Sequence, residues 1–282
     1  MITERWSVFW ASQALLYLSA ASSVGGNVFV HNLDPILLEI GPFSIRWYGL
    51  LMALAFLCGY FIIQKLANER KLNVDADTYL IYMILGLLGG ARLGEIFFYQ
   101  DVLYYLTHPL KIIAVWEGGL ASHGAVLGGI FAHWLYCKRN KIHFYDLADI
   151  AVIPIALGAS FVRIGNFFNA EIVGRATTVS WAVQYPPSDA LRHPSQLYEA
   201  FKNLLIFGIL WRMRLLSSLT RGFLFWSFLA LFSVFRFMVE FFKDYQPGEL
   251  MVQYGSLTMG QVLSIPLFIV SAAMLLVVWK KK

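Results

Sequence analysis

Thirteen residues in the middle of the chain carry an unusual density of charged and amide side chains. They follow an apolar stretch over residues 151–162 and include Arg163, Asn166, Asn169, Glu171 and Arg175. An ionisable side chain at membrane depth costs ~2.5–3.5 kcal/mol on insertion scales, so this cluster needs a charged partner or ligand. A guanidinium presents a planar fork matched to phosphate oxygens, and amides can hold hydroxyls beside it. The cluster therefore favours an anion site, with a loop-folding network around Glu171 as the alternative.

Two further arginines lie in apolar stretches, each close to an acid. Glu95 follows Arg92 by three residues and Glu240 follows Arg236 by four, so each pair shares a helix face. Both pairs could be internal ion pairs. The other interpretation is that Arg92 and Arg236 join Arg163 in holding an anionic headgroup, for which a lipid phosphate is the natural candidate.

His123 is the candidate proton acceptor. It lies in the segment GGLASHG, whose glycines leave room for a substrate to reach an imidazole. The alternative is a satisfied core or interface residue, which is the interpretation we adopt for His133. Tyr48, beside Gly49, either belongs to an aromatic belt or points a phenol into the same cavity.

Several familiar catalytic patterns do not occur in the sequence. There is no GxSxG elbow, HExxH zinc helix or Walker loop, so no covalent enzyme nucleophile is indicated. Cys58 and Cys137 both fall in apolar runs, where they are expected to act as small buried hydrophobic residues. Their spacing supports neither a disulfide nor a zinc site.

The composition predicts the setting of these residues. Hydrophobic residues make up 59% of the chain and charged residues only 14%, whereas a soluble chain has about 25% charged residues. The chain therefore uses lipid as solvent for much of its surface. The net charge of +5 is distributed between the hydrophobic runs rather than on one patch, which argues against a nucleic-acid partner.

Seven apolar runs are long enough to cross a bilayer as helices, so we expect an all-α, polytopic integral membrane protein. The predicted spans are residues 46–67, 77–99, 119–137, 146–167, 196–213, 221–243 and 258–279. At the start of the fifth span, Ser195 is expected to cap the helix, with Glu199 in its first turn. Lysines and arginines cluster in alternate connections, which predicts a cytoplasmic C-terminus and an outward-facing Arg163 cluster.

The first 30 residues form a separate segment. Residues 6–24 are apolar but rich in Ser and Ala, and could be a signal-like segment, an additional span or an interfacial helix. Residues 31–282 are expected to form one membrane-embedded domain.

Taken together, these segments resemble the prolipoprotein diacylglyceryl transferases of bacterial inner membranes. The resemblance covers most of the chain, from about Leu33 to Pro266, and rests on WYG at 47–49, GGAR at 89–92, SHG at 122–124, the segment 163–175, HPSQLYE at 193–199 and the segment 236–240. Two alanines depart from the family pattern. Ala125 stands where a second glycine usually follows the histidine, and Ala170 stands where glycine usually precedes the glutamate.

The resemblance implies an activity. The family moves the sn-1,2-diacylglyceryl group of phosphatidylglycerol onto the lipobox cysteine thiol in the signal peptide of a preprolipoprotein, and releases glycerol-1-phosphate. It needs no metal or cofactor. On this basis the expected catalytic residues are His123, Arg163, Glu171 and Arg236. The expected substrate-binding residues are Tyr48, Arg92, Arg163, Asn166, Asn169 and Glu240.

Two other classes of protein would also place arginines in a membrane. A transporter or flippase could bind a lipid phosphate without chemistry, although the paired, interrupted spans of many transporters are not evident. A structural subunit could use the arginines in packing ion pairs, which would leave the dense amides unexplained.

Overall fold

The computed structural model describes residues 28–41, 43–114, 118–216, 219–244 and 257–280. The predicted N-terminal extension lies almost wholly outside the described residues, so its three interpretations stay predictions. In chain order the described helices are α1 Trp47–Glu69, α2 Ala76–Tyr99, α3 Val102–Thr107, α4 Pro109–Ile113, α5 Ser122–Asn140, α6 Phe144–Phe168, α7 Ser195–Met213, α8 Phe223–Glu240 and α9 Met259–Trp279.

The seven long helices coincide with the seven predicted spans, and the predicted fold class is confirmed. Five of them, α1, α2, α6, α8 and α9, are long and apolar enough to cross a membrane. Helices α5 and α7 have the length but carry more polar and charged residues, among them the network around Glu199 described below. Helix α6 is more than half buried within the protein, at 56% against 17–22% for the other four. The helix that leads to the Arg163 cluster is therefore largely enclosed by protein.

The chain forms two compact units. In the described residues, the first consists of residues 28–55, Ala156–Gly208 and Leu229–Ser271, and the second of Phe56–Ile155, Ile209–Phe228 and Ala272–Lys282. Each boundary falls inside a long helix, so α1, α6, α7, α8 and α9 contribute residues to both units. The Arg163 cluster belongs to the first unit, whereas Arg92 and His123 belong to the second.

Short strands in the first unit were not predicted from the sequence. Strands β1 Phe29–Val30, β2 Ile36–Ile40, β3 Phe43–Arg46, β4 Val183–Gln184 and β5 Leu191–Arg192 form two small sheets. Strand β4 pairs in parallel with β1 and antiparallel with β5, while β2 and β3 form a hairpin that leads into α1. The three-stranded sheet joins the beginning of the described chain to the connection between α6 and α7.

In the second unit, glycines bring α2 and α5 into close contact. A Cβ added to Gly90 or Gly128 would clash with backbone atoms of the facing helix. Small residues that allow backbones to approach are typical of helix contacts in membranes. Gly90 makes such a close contact, whereas a Cβ at Gly89 would meet no neighbouring element of the described chain within 4 Å. Gly90 thus fixes the part of α2 that precedes Arg92.

Buried polar residues in the second unit have structural partners. His133 lies near the Tyr79 hydroxyl at 2.9 Å and the Phe144 carbonyl at 3.2 Å, as expected for a satisfied core residue. The Asp149 carboxylate accepts hydrogen bonds from the backbone N–H groups of Gly222 at 2.8 Å and Phe225 at 2.9 Å. Asp149 therefore caps the beginning of α8.

Candidate functional site

The end of α6 brings four predicted site residues into one hydrogen-bonded cluster. Arg163 Nη1 donates to Asn166 Oδ1 at 3.3 Å. Asn166 Nδ2 donates to Glu171 Oε2 at 3.0 Å, and Asn169 Nδ2 donates to Glu171 Oε1 at 3.1 Å. Both amides thus converge on one carboxylate. One acceptor remains, because the buried Oδ1 of Asn169 has no hydrogen-bond partner among the described residues.

The turn after α6 that carries Glu171 is strained and fixed at several points. Ala170 and Ile172 adopt φ values of 53° and 55°, in the left-handed region. An L-residue there costs ~1–2 kcal/mol, and a β-branched residue such as Ile172 is a clear outlier. The start of α7 holds this turn, because Gln196 Nε2 donates to the Glu171 carbonyl at 2.6 Å and Ser195 Oγ donates to the Ile172 carbonyl at 2.7 Å.

This contact corrects the role expected for Ser195. The serine is the first residue of α7, but the partner of its hydroxyl is a carbonyl in the preceding turn rather than an N–H group of its own helix. The carbonyl is available because the left-handed backbone at Ile172 turns it toward α7. Ser195 therefore positions the turn that carries Glu171.

Tyr48 joins the cluster from the beginning of α1. Gly165 makes room for it, since a Cβ at that position would lie 2.7 Å from Tyr48 Cδ2. The phenol lies within electrostatic range of both the Glu171 carboxylate and the Arg163 guanidinium. Its neighbour Trp47 stacks on Phe168, with ring centroids 4.8 Å apart. Of the two interpretations of Tyr48, this packing favours the one in which the phenol faces the polar cluster.

A buried ionic network around Glu199 lies next to the cluster. The Nζ atoms of Lys202 and Lys243 are each 2.8 Å from a Glu199 carboxylate oxygen, and Arg163 Nε is 3.9 Å away. Lys243 Nζ also lies 3.4 Å from Glu240 Oε2. Lys202 Nζ and Glu199 Oε1 do not reach hydrogen-bond geometry, so charge attraction holds this part of the network. The network links Arg163 to Glu240.

This network was not predicted from the sequence. Its geometry corrects the role that was expected for Glu199. The carboxylate was expected to complement the beginning of α7, but its side chain is only 3% exposed and is surrounded by cations. A signal was present, because Glu199 and Lys202 are ionisable residues three apart in a helix of membrane-spanning length. The partner Lys243 is distant in sequence and could not be assigned from spacing.

Arg236 and Glu240 do not form the internal ion pair that was one of their two interpretations. Within the described residues the Arg236 guanidinium makes no hydrogen bond or ion pair. It lies within electrostatic range of the Lys202 ammonium group. Glu240 turns toward Lys243, and its carboxylate occupies the space that a side chain at Gly260 would fill. Arg236 is therefore a half-buried cation with donors available for an anion.

Arg92 is buried and has its own partners in the second unit. Its guanidinium donates to four carbonyls, those of Lys111, Ile112, Gly118 and Gly119, at 2.6–3.2 Å. It also faces the Tyr105 ring at 5.5 Å. Glu95 accepts from Gln100 Nε2 at 3.0 Å. This geometry favours a role in which Arg92 fixes the segment between α2 and α5, and its predicted contact with a headgroup stays a prediction.

His123 is the second residue of α5 and is exposed. Within the described residues its imidazole has no hydrogen-bond partner. The preceding Gly118 and Gly119 have φ values of 87° and 70°, which only glycine adopts readily. The carbonyls of these glycines are those that Arg92 holds, so Arg92 determines where α5 begins and thereby where His123 stands.

Hydrogen bonds and an ion pair outside the spans hold the connection from α6 to α7 in place. Arg192 donates to the Gly174 carbonyl at 3.1 Å and pairs with Asp244, and Arg175 Nε donates to the Lys243 carbonyl at 2.8 Å. Burial lowers the pKa of His193 and raises the pKa of Tyr185, because the charged forms of both lose hydration. Both side chains therefore favour their neutral forms in this connection.

Comparisons with known proteins identify the family of this chain. A family model described as prolipoprotein diacylglyceryl transferase matches residues 35–277. The chain is 39% identical to the phosphatidylglycerol–prolipoprotein diacylglyceryl transferase of Geobacter sulfurreducens, over 89% of this chain and 97% of that relative. The corresponding protein of Tolumonas auensis is 40% identical, over 89% of this chain and 98% of its own length. That of Chloroherpeton thalassium is 42% identical, over 86% and 92%. The chain belongs to the prolipoprotein diacylglyceryl transferase family.

Proposed function

We propose that this protein transfers the sn-1,2-diacylglyceryl group of phosphatidylglycerol to the lipobox cysteine thiol of a preprolipoprotein. The products are a thioether-linked diacylglyceryl protein and glycerol-1-phosphate. One observation carries the proposal, in addition to family membership. Arg163, Asn166, Asn169 and Glu171 form one polar cluster at the end of a largely buried helix, with an unpaired Arg236 in the same unit of the described chain.

The reaction is a displacement at carbon. The cysteine sulfur attacks the carbon of the diacylglyceryl group that is bonded to a phosphate oxygen. A C–S bond forms, and the bond between that carbon and the oxygen breaks. The electron pair of the broken bond goes to the leaving phosphate, and the thiol proton goes to a base. The nucleophile belongs to the substrate, so neither Cys58 nor Cys137 needs to react.

Arg163 and Arg236 stabilise the charge that grows on the leaving phosphate. Donors aimed at developing charge are most effective in a site that excludes water. Arg163 suits this role because its carboxylate neighbour, Glu199, stands 3.9 Å from Nε, beyond hydrogen-bond distance. Arg236 suits it because its guanidinium has no competing hydrogen bond among the described residues.

The amide and carboxylate groups orient the glycerol headgroup. The unpaired Asn169 Oδ1 is a buried acceptor for a hydroxyl, and the Glu240 Oε2 atom is a second acceptor without a hydrogen bond in the described residues. Asn166 ties Arg163 to Glu171, so headgroup binding and phosphate binding are coupled through one amide. Tyr48 contributes a phenol within electrostatic range of both Glu171 and Arg163.

His123 is the base that accepts the thiol proton. A cysteine thiol with a pKa near 8.5 is mostly protonated at neutral pH, so a base accelerates attack. The imidazole is exposed, and neither nitrogen is engaged by another described residue. Arg92 positions it through the carbonyls of Gly118 and Gly119.

The chain is a multi-pass membrane protein. Its proposed location is the bacterial inner membrane, with the C-terminus in the cytoplasm and the active site toward the periplasmic leaflet. The excess of lysine and arginine in alternate connections supports this orientation. The proposed partners are phosphatidylglycerol, the lipobox signal peptide and membrane lipid, without nucleic acid.

The experiment uses membranes containing the full chain, phosphatidylglycerol labelled in both its acyl and its glycerol headgroup portions, and a lipobox peptide. We expect acyl label on the peptide cysteine and an equal amount of labelled glycerol phosphate in solution. A peptide with serine in place of the lipobox cysteine is the matched control and should accept no label. Movement of lipid between leaflets without either product would favour the transporter or flippase and would overturn the proposal.

A further inference from the structure

A cavity of about 210 Å³ in the second unit is lined by none of the residues proposed for the transfer reaction. It lies where α1 and α7 end and along the first half of α6. Its wall is made of Leu66, Glu69, Arg70, Ile150, Ile153, Arg214 and Leu215. The wall thus combines apolar side chains with two guanidinium groups, which is a composition suited to an amphiphile with an anionic head.

The two arginines have donor capacity that the protein does not use. Arg214 Nε is buried and has no hydrogen-bond partner among the described residues. The Arg214 guanidinium pairs with Glu69 through Nη1 and is held 4.0 Å from the Trp211 ring centroid, so its orientation is fixed. A buried donor without an acceptor is costly unless a ligand or water satisfies it.

Arg70 provides the second guanidinium. Its closest acid is Asp149, at 3.9 Å, and the Asp149 oxygens already accept the N–H groups of Gly222 and Phe225. Within the described residues the Arg70 guanidinium therefore has an ionic neighbour but no hydrogen bond. The acid that lines the cavity itself, Glu69, is 41% exposed and engaged by Arg214. The unused donors of two arginines, rather than an excess of charge, distinguish this cavity.

We propose that this cavity binds the phosphate group of an anionic phospholipid, with Arg70 and Arg214 as the ligands. Paired guanidinium groups match phosphate oxygens better than they match a neutral headgroup. The apolar wall of Leu66, Ile150 and Ile153 accommodates the glyceryl and upper acyl portions. Basic pockets between spans on the cytoplasmic side are a recurrent form of lipid headgroup site. The assignment to the cytoplasmic leaflet rests on the proposed orientation, whereas the phosphate site does not.

The test measures binding rather than transfer, so its outcome is independent of the proposed activity. The purified full chain is placed in phosphatidylcholine nanodiscs, and phosphatidic acid is added in increasing fractions while the thermal midpoint is followed. We expect a saturable rise in the midpoint, because a ligand that binds only the folded state stabilises it. Arg214→Gln and Arg70→Gln should each weaken the apparent affinity roughly tenfold, as loss of a charge-assisted hydrogen bond predicts. Arg70→Gln breaks no hydrogen bond among the described residues, so it tests the site even if Arg214→Gln fails to fold.

Arg221→Gln is the matched control. It removes the same charge in the same unit, but Arg221 pairs with Asp146 and does not line the cavity. We expect its affinity for phosphatidic acid to equal that of the unmodified protein. Inorganic phosphate is tested separately. If it stabilises the unmodified protein but neither cavity variant, the site binds a soluble phosphate through the same chemistry. Equal responses of the unmodified protein and both cavity variants to lipid and to phosphate would overturn the proposal.

Discussion

The Arg163 guanidinium lies 3.9 Å from the Glu199 carboxylate, which two lysine ammonium groups approach more closely at 2.8 Å. At that distance Arg163 is attracted without being hydrogen-bonded. Glu199 therefore holds the arginine in place while Lys202 and Lys243 take up most of its charge. This arrangement leaves Arg163 with donors for an incoming phosphate.

Replacement of Glu199 by glutamine should destabilise the protein. Three cations would lose their shared acid, and removal of one partner from a buried ionic network costs ~3–5 kcal/mol. We expect a clear fall in the thermal midpoint in detergent. Asp146→Asn, which breaks the more exposed pair with Arg221, should cost at most about 1 kcal/mol. Equal midpoints for Glu199→Gln and the unmodified protein would show that the network does not stabilise the fold.

Replacement of Ala170 by glycine should stabilise the protein. Alanine at a φ of 53° is strained, and glycine removes this cost of ~1–2 kcal/mol. Glycine also raises the conformational entropy of the unfolded chain, which offsets part of the gain. We expect a net gain of about 0.5–1 kcal/mol in the free energy of unfolding. Ala176→Gly is the control, because Ala176 has no positive φ and should lose stability. A loss at both positions would contradict the strain at Ala170.

Replacement of Arg92 by lysine separates its two possible roles. An ammonium group cannot serve the four carbonyls that the guanidinium reaches, so we expect a loss of about 2–4 kcal/mol in stability. Arg139→Lys is the control, since Arg139 is exposed and bonds only the Tyr82 hydroxyl among the described residues. A normal thermal midpoint together with a raised KM for phosphatidylglycerol would instead favour direct contact with the headgroup.

The sequence was sufficient to predict the long helices and the residues that meet at the end of α6. Apolar length determines a span, and the spacing of Arg163, Asn166, Asn169 and Glu171 is local, so both are visible in the chain itself. The sequence also indicated that His133 is a satisfied core residue, which the structure confirms. It overestimated the uniformity of the spans, because α5 and α7 are more polar than the other five.

Features that depend on contacts between distant segments could not be predicted. Lys243 reaches Glu199 from a different helix end, and Arg236 lacks, within the described chain, the partner that its spacing to Glu240 suggested. The left-handed backbone at Ala170 depends on Ser195 and Gln196, which hold the turn from the start of α7. The short strands are only two residues long at three positions, too short to produce an alternating pattern.

Replacement of His123 by glutamine tests the proposed base. Glutamine keeps a polar side chain of similar size but cannot take up the thiol proton. We expect a large loss of kcat/KM at neutral pH that is partly recovered at alkaline pH, where the substrate thiol, with a pKa near 8.5, ionises without a base. His133→Gln is a poor control because His133 is buried, so the exposed His143 is replaced instead. A reduced rate with an unchanged pH profile would leave His123 only a positioning role.

The most direct measurement is the single-turnover rate of glycerol phosphate release by Arg163→Gln and Arg236→Gln, with phosphatidylglycerol saturating. Both variants should lose roughly 10²–10³ in rate, since each removes a donor aimed at the developing charge. Arg221→Gln, which removes a charge outside the cluster, should release glycerol phosphate at the normal rate. A normal rate in either cluster variant would contradict the assignment of that arginine to the leaving phosphate.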